Sequence, residues 1–377
     1  MLRRIRDLFS DVARQADLVL LALCSATSLF GILMIYSATR YMHTSRLVLV
    51  QAASLVIGVV LYLLMSQIDL NELVKYWKWI FLQGFGFVLL LATPLGIEGG
   101  TGNRAWLEFP FLPVKVQPAE IVKVTFIIVL AKQLAWLKEH RDLKSVGSMV
   151  MLALHFGVLF LTYYKISADM GSALVFLFIF ACMCFVAGVA LWWFIILFDH
   201  NYDPLDTGWQ QTRSLLALGG GKIFGQGYLR GVQSQSELAA SLPNRHTDFI
   251  FSVIGEELGM VGCVLTLTLL TAIVVRCVYV ARRAKTRLEG YVCIGVASVI
   301  IFQVIVNVGM CLFVMPVIGL TLPFISYGGS SIVMTFALMG LVSGVHGRAE
   351  PDWLRLGNGA SSEAPPLFGC IPAAPML

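Results

Sequence analysis

Of the 377 residues, 58% are hydrophobic and 13% charged, where soluble domains carry about 25% charged residues. That imbalance excludes a chain of soluble domains. The net charge of +5 is scattered over short loops, which excludes a nucleic-acid-binding patch and reads instead as membrane topology. Eight cysteines follow no metal or disulfide spacing. Cys24, Cys263, Cys277, Cys293 and Cys311 lie in apolar runs, where cysteine packs as a small hydrophobe.

Apolar stretches recur along the whole chain, each close to the ~20 residues that cross a bilayer as a helix. Lipid offers the backbone no hydrogen bonds, so the expectation is an all-α polytopic membrane protein. The first span covers about 18–36 and follows Arg3, Arg4 and Arg6; further spans follow, so it is not a cleaved signal peptide. Others are expected near 47–66, 76–93, 118–136 and 146–164. The region 170–199 comes next, then spans near 249–280, 291–314 and 329–346. Basic clusters at 3–6, 75–78, 138–144, 282–287 and 348–355 place those loops and both termini in the cytoplasm. Loops 94–117 and 200–248 then lie outside. Parity between Lys144 and Arg282 requires 170–199 to supply two crossings or none. The expectation is about ten transmembrane helices, the seventh unusually short and broken off at Gly188. Residues 1–350 form the transmembrane domain, and 351–377 a disordered cytoplasmic tail.

The outer loops hold more charge, glycine and aromatic residues than connectors need. Arg104 and Lys115 lie just outside the membrane without an evident structural duty. Pro118 suits the first turn of a helix, on which Glu120 and Lys123 share a face and can pair. The glycine-rich run 219–231 lacks the spacing of a nucleotide-binding loop and reads as backbone approaching a surface or ligand. Asp248 precedes a long apolar run: it is either a helix N-cap or, beside Arg245 and His246 at the membrane edge, a general base. Ser252 lies one turn further on. Gly255 and Gly259 have the spacing of a helix-packing pair. The stretch 316–331, with Ser326 and Ser330, reads as broken helix or a re-entrant loop.

Pro243-Asn-Arg-His-Thr-Asp-Phe-Ile-Phe251, Gly255-Glu-Glu-Leu-Gly259 and Gly319-Leu-Thr-Leu-Pro-Phe-Ile-Ser-Tyr-Gly-Gly-Ser-Ser331 strongly resemble the SEDS family of bacterial RodA and FtsW proteins. Gln117 to Lys123, Asp169 to Ala173 and the run 211–231 look like that family too, and the match spans about residues 15–350. The resemblance implies a ten-helix peptidoglycan glycosyltransferase of the bacterial cytoplasmic membrane, polymerising lipid II for elongation, division or sporulation. It implies a class B penicillin-binding protein and other elongation or division proteins as partners, besides membrane lipids. Asp248 matches the family's essential aspartate. Arg104, Lys115, Glu120 and Lys123 match polar positions of its groove, with Arg245, His246, Ser326 and Ser330 as further substrate contacts. No cofactor is certain; a divalent cation could assist, though no ligand cluster announces one. Asn244 and Ala168 depart from the family's usual residues, and the stretch between Gly188 and Asp203 is about one helix short. Two alternatives stand beside the enzyme: a transporter of lipid-linked precursor or solute, and a catalytically impaired scaffold.

Overall fold

The computed structural model describes residues 16–98, 103–109, 115–141, 143, 145–189, 207–236 and 242–349. The described residues form a helical bundle with one two-stranded ribbon. Its long helices are α1 (Leu18–Thr39), α2 (Arg46–Ser66), α3 (Trp77–Leu90), α4 (Pro118–His140), α5 (Val146–Ser167), α6 (Met170–Ala187), α7 (Thr207–Gly221), α8 (Ile250–Arg283), α9 (Arg287–Cys311) and α10 (Gly329–Arg348). Seven of them, α1, α2, α5, α6, α8, α9 and α10, are long and apolar enough to cross a membrane. They are apolar all round, as spans buried in lipid and protein are. α4, with 23 residues, is about 35 Å long and falls short only because it carries charge. The predicted seventh crossing and the tail 351–377 lie outside the described residues, although α6 ends at one end of the bundle and α7 lies at the other.

Sequence signals set the helix ends. Asp17 caps α1 by accepting from the Leu20 amide, Ser145 caps α5, and Asp169 caps α6 by accepting from the Ser172 amide. Thr286 and Glu289 form a reciprocal capping box at the start of α9. α8 is 34 residues long, more than one crossing needs, and it breaks at Gly259, whose φ is 66° and ψ −161°. A short stub, 250–258, therefore stands apart from the spanning rod. A Cβ at Gly259 would collide with the backbone of Ile223 and Gly225, and one at Gly255 with Leu218. The Gly255/Gly259 pair thus receives α7 and the loop after it. The glycine-rich run docks on this stub.

Among the described residues the loop 94–117 contributes the one addition to an all-α fold: Gly96–Ile97 (β1) pairs antiparallel with Trp106–Leu107 (β2), and Leu107 bridges to Val116. α7 lies within the stretch read from the sequence as the outer loop 200–248. Its inward face is small and polar (Gln211, Ser214, Ala217, Gly221), while Trp209, Leu215 and Leu216 are exposed.

The two ends of the bundle differ in chemistry. The described members of the clusters at 75–78, 138–141, 282–287 and 348 share one end; Arg40 and Arg46 lie at the other. At the basic end, buried Asp17 gathers four helices. Arg276 of α8 pairs with its carboxylate at 2.8 and 3.0 Å, Tyr62 of α2 donates to its carbonyl, and its amide donates to Ser343 of α10. Removing one partner strands a buried charge. Arg276→Ala should lower stability by about 3–5 kcal/mol, measured by denaturant unfolding of the detergent-solubilised chain.

Candidate functional site

At the opposite end, residues 243–249 form a run of turns leading into α8. Asn244 adopts the left-handed conformation, φ 46°, and its carbonyl accepts from the amides of Thr247 and Phe249. The residue at the N-cap position of α8 is Phe249, and no side chain caps the helix. The N-cap alternative for Asp248 is thereby replaced: the turn closes one residue later, and the carboxylate is left uncommitted. It makes no hydrogen bond or ion pair among the described residues, and burial pushes its pKa up to about 6.

The predicted neighbours of Asp248 are present but mostly bound. The Arg245 guanidinium donates to the carbonyls of Gln233, Ser234 and Ser236 and stacks on the Tyr41 ring at 3.7 Å. His246 packs against Tyr327, and burial together with Arg245 lowers its pKa, which favours neutral imidazole. The Ser326 hydroxyl donates to the Thr247 carbonyl at 2.6 Å and accepts from the Leu322 amide. Ser330 is half-buried in the first turn of α10. Ser252 turns inward, sharing a hydroxyl contact with Ser214 of α7.

Arg104, Lys115, Glu120 and Lys123 form a second group. Arg104 closes the 93–96 turn by donating to the carbonyls of Thr93 and Gly96, each at 3.0 Å. Glu120 and Lys123 form a buried ion pair of 2.9 Å inside α4, with side chains only 7% and 4% exposed. Lys115 alone among these cations is exposed and unpaired within the described residues. No hydrogen bond or ion pair among the described residues joins this group to the Asp248 turn.

Sequence reasoning passed over the residues that brace the site. Glu256 and Glu257 are fully buried in the stub. Glu256 accepts from the amides of Gln233 and Ser234, and Glu257 from Ser37, Ser234, Gln235 and the Leu229 amide. Two adjacent carboxylates in an apolar run were a visible signal, since buried charge in a membrane protein demands partners. Gln51 of α2 donates to the Ser326 carbonyl and accepts from the Gly328 amide, and Asn307 of α9 donates to the carbonyls of Asp248 and Leu320. Single amides inside long apolar helices offered a weaker signal. Among the described residues no three His, Cys, Asp or Glu side chains converge.

The fold and its polar end define a multi-pass membrane protein whose half-buried carboxyl sits in a braced turn at one end of the bundle. The FtsW/RodA/SpoVE cell cycle protein signature matches residues 17–198 and 194–350, and the chain belongs to this SEDS family. It is 31% identical to the probable peptidoglycan glycosyltransferase FtsW of Geobacter metallireducens over 89% of this chain and 95% of that one. It is 32% identical to the peptidoglycan glycosyltransferase MrdB of Escherichia coli K12 over 77% and 82%. Rod shape determining protein RodA of Thermus thermophilus superimposes with a TM-score of 0.70 at 29% identity, covering 89% of this chain and 98% of that one. A chain from a peptidoglycan synthase complex, described as coordinating polymerization and crosslinking, superimposes with a TM-score of 0.72 at 28% identity, covering 88% and 97%.

A carboxyl whose pKa is raised on folding favours the folded state while protonated. That stability is present at low pH and is lost as pH rises through about 6. Asp248→Asn should therefore stabilise the protein at pH 7.5, by up to about 3 kcal/mol, and the gain should shrink toward pH 4.5. Thermal unfolding at both pH values checks this.

Proposed function

We propose that this chain is a peptidoglycan glycosyltransferase that polymerises lipid II. The observation that carries the proposal is the Asp248 carboxyl: uncommitted, raised in pKa, and set at the end of a bundle whose relatives bear that activity in their names. Chain growth requires the acceptor sugar hydroxyl to lose its proton as its oxygen bonds the donor sugar's anomeric carbon. The bond from that carbon to the diphosphate breaks, and the lipid diphosphate departs. Asp248, ionised above about pH 6, is suited to take the proton at neutral pH. The leaving diphosphate calls for a nearby cation. Lys115 suits that role best, because Arg104 and Arg245 already donate to backbone carbonyls. Neutral His246 and Ser330 remain as hydrogen-bonding contacts for the sugars.

The basic end faces the cytoplasm under the positive-inside rule, which places both termini there and the Asp248 end at the outer face of the bacterial cytoplasmic membrane. A lipid-anchored substrate then meets the site from the outer leaflet. The working partner is a class B penicillin-binding protein, in keeping with the synthase complex whose chain superimposes on this one. A divalent cation is left as an assistant supplied with the diphosphate, and the mechanism stands on the protein's own groups.

Lipid II polymerisation by the full chain with its class B partner tests the proposal. Asp248→Ala should lower the rate by about 10²–10⁴-fold. The wild-type rate should climb with pH through an apparent pKa near 6 as Asp248 ionises. Polymer made equally well by Asp248→Ala would overturn the assignment. Partner binding without polymer in either protein would favour the scaffold alternative.

A further inference from the structure

Three consecutive carbonyls of the Asp248 turn are each held from outside it. The Tyr327 amide donates to the His246 carbonyl at 2.8 Å, the Ser326 hydroxyl to that of Thr247 at 2.6 Å, and the Asn307 amide to that of Asp248 at 2.8 Å. The first two donors come from the loop between α9 and α10; the third comes from within α9. The second Asn307 hydrogen reaches the Leu320 carbonyl at 2.7 Å, so a single side chain ties the turn to that loop. One helical turn further on, Cys311 makes a weaker contact with the Asp248 carbonyl, at 3.8 Å.

Two features set Asn307 apart from an ordinary packing residue. Both its neighbours are carbonyl oxygens, so only its NH₂ group can face them. That leaves Oδ1 buried with no partner, in a residue of zero exposure. Buried acceptors seldom go unsatisfied, and the fold tolerates this one in order to set both amide hydrogens where they are. Second, the Asp248 carboxylate has no hydrogen-bond partner of its own among the described residues. No side-chain hydrogen bond therefore sets its direction; what is held is the main chain from which its Cα–Cβ bond projects, and of the two donors to the Asp248 carbonyl Asn307 is the nearer.

We infer that Asn307 is a positioning residue: by fixing the Asp248 carbonyl it aims the Asp248 carboxylate at the acceptor hydroxyl. The inference rests on Asp248 being the general base. Other titratable groups at the turn are Arg245 and His246 within it, Tyr327 on the facing loop and Cys311 on α9.

The experiment compares wild type, Asn307→Leu, Asn307→Ser and Asp248→Asn as full chains with the class B partner. Lipid II polymerisation is followed from pH 5 to 8 and normalised to folded, monodisperse protein. Asn307→Leu removes both donors and keeps bulk; Asn307→Ser keeps one short donor and carries the test if the leucine variant fails to fold. The expected result is a kcat lower by on the order of 10–100-fold, since small misplacements of a reacting group carry penalties of that size. KM for lipid II should stay within about twofold, because no substrate contact is removed. The acid limb should also move to lower pH, as a loosened turn lets water reach the carboxylate. A purely structural role would lower activity only in step with folded protein and leave the limb in place, which overturns the inference. An unchanged kcat in a folded Asn307 variant overturns it as well. Polymerisation by Asp248→Asn at the wild-type rate would sink the general-base assignment instead, whatever the Asn307 variants do.

Discussion

Irregular backbone near the membrane must find its hydrogen bonds within the protein, and the whole site end answers that demand. Helices satisfy themselves; the turns at 243–249, the loop at 222–236 and the stretch at 312–328 do not. Each is held by polar side chains drawn from neighbouring elements. Glu256 and Glu257 collect amides of the 222–236 loop, Arg245 collects its carbonyls, and Gln51 and Asn307 collect groups of the 312–328 stretch. Gln211 likewise donates to the carbonyls of Met310 and Met315. Buried polarity here is the means by which a bundle of apolar rods supports non-helical chain.

Against that background Asp248 stands out by what it lacks. Glu256 and Glu257 are surrounded by donors and serve as braces, whereas Asp248 is half-buried and its side chain accepts no hydrogen bond among the described residues. A carboxylate kept from solvent without donors is held in a state that favours taking a proton, which is what a base near neutral pH requires. The same burial is a liability for the fold. Stability and chemistry pull in opposite directions at this residue, as they commonly do where function is stored.

Much of the fold was legible in the sequence because bilayer thickness imposes its own ruler. α1, α2, α5, α6, α9 and α10 fall where apolar runs said they would, and the run at 249–280, too long for one crossing, had to tilt or project, which the break at Gly259 allows. α7 escaped detection because its buried face is built from Gln211, Ser214, Ala217 and Gly221, which reads as loop composition. The β1–β2 ribbon escaped because two-residue strands leave no periodicity. For the site, the resemblance pointed to Asp248, and geometry removed its competing role as a cap. Arg104 and Arg245 show where one-dimensional reasoning stops. A loop arginine serves an anion or a set of carbonyls equally well, and only the folded chain reveals which.

The clamp on the Asp248 turn also fixes an order of events in biosynthesis. Every outside donor to its carbonyls among the described residues, Asn307, Cys311, Ser326 and Tyr327, lies later in the chain than the aspartate it serves. The chain emerges from the ribosome N-terminus first, so the Asp248 turn and α8 are delivered to the membrane before these donors exist. This end of the bundle is thus finished only when the loop before α10 has been translated, and a polypeptide cut short ahead of Asn307 carries the aspartate without the donor proposed to aim it.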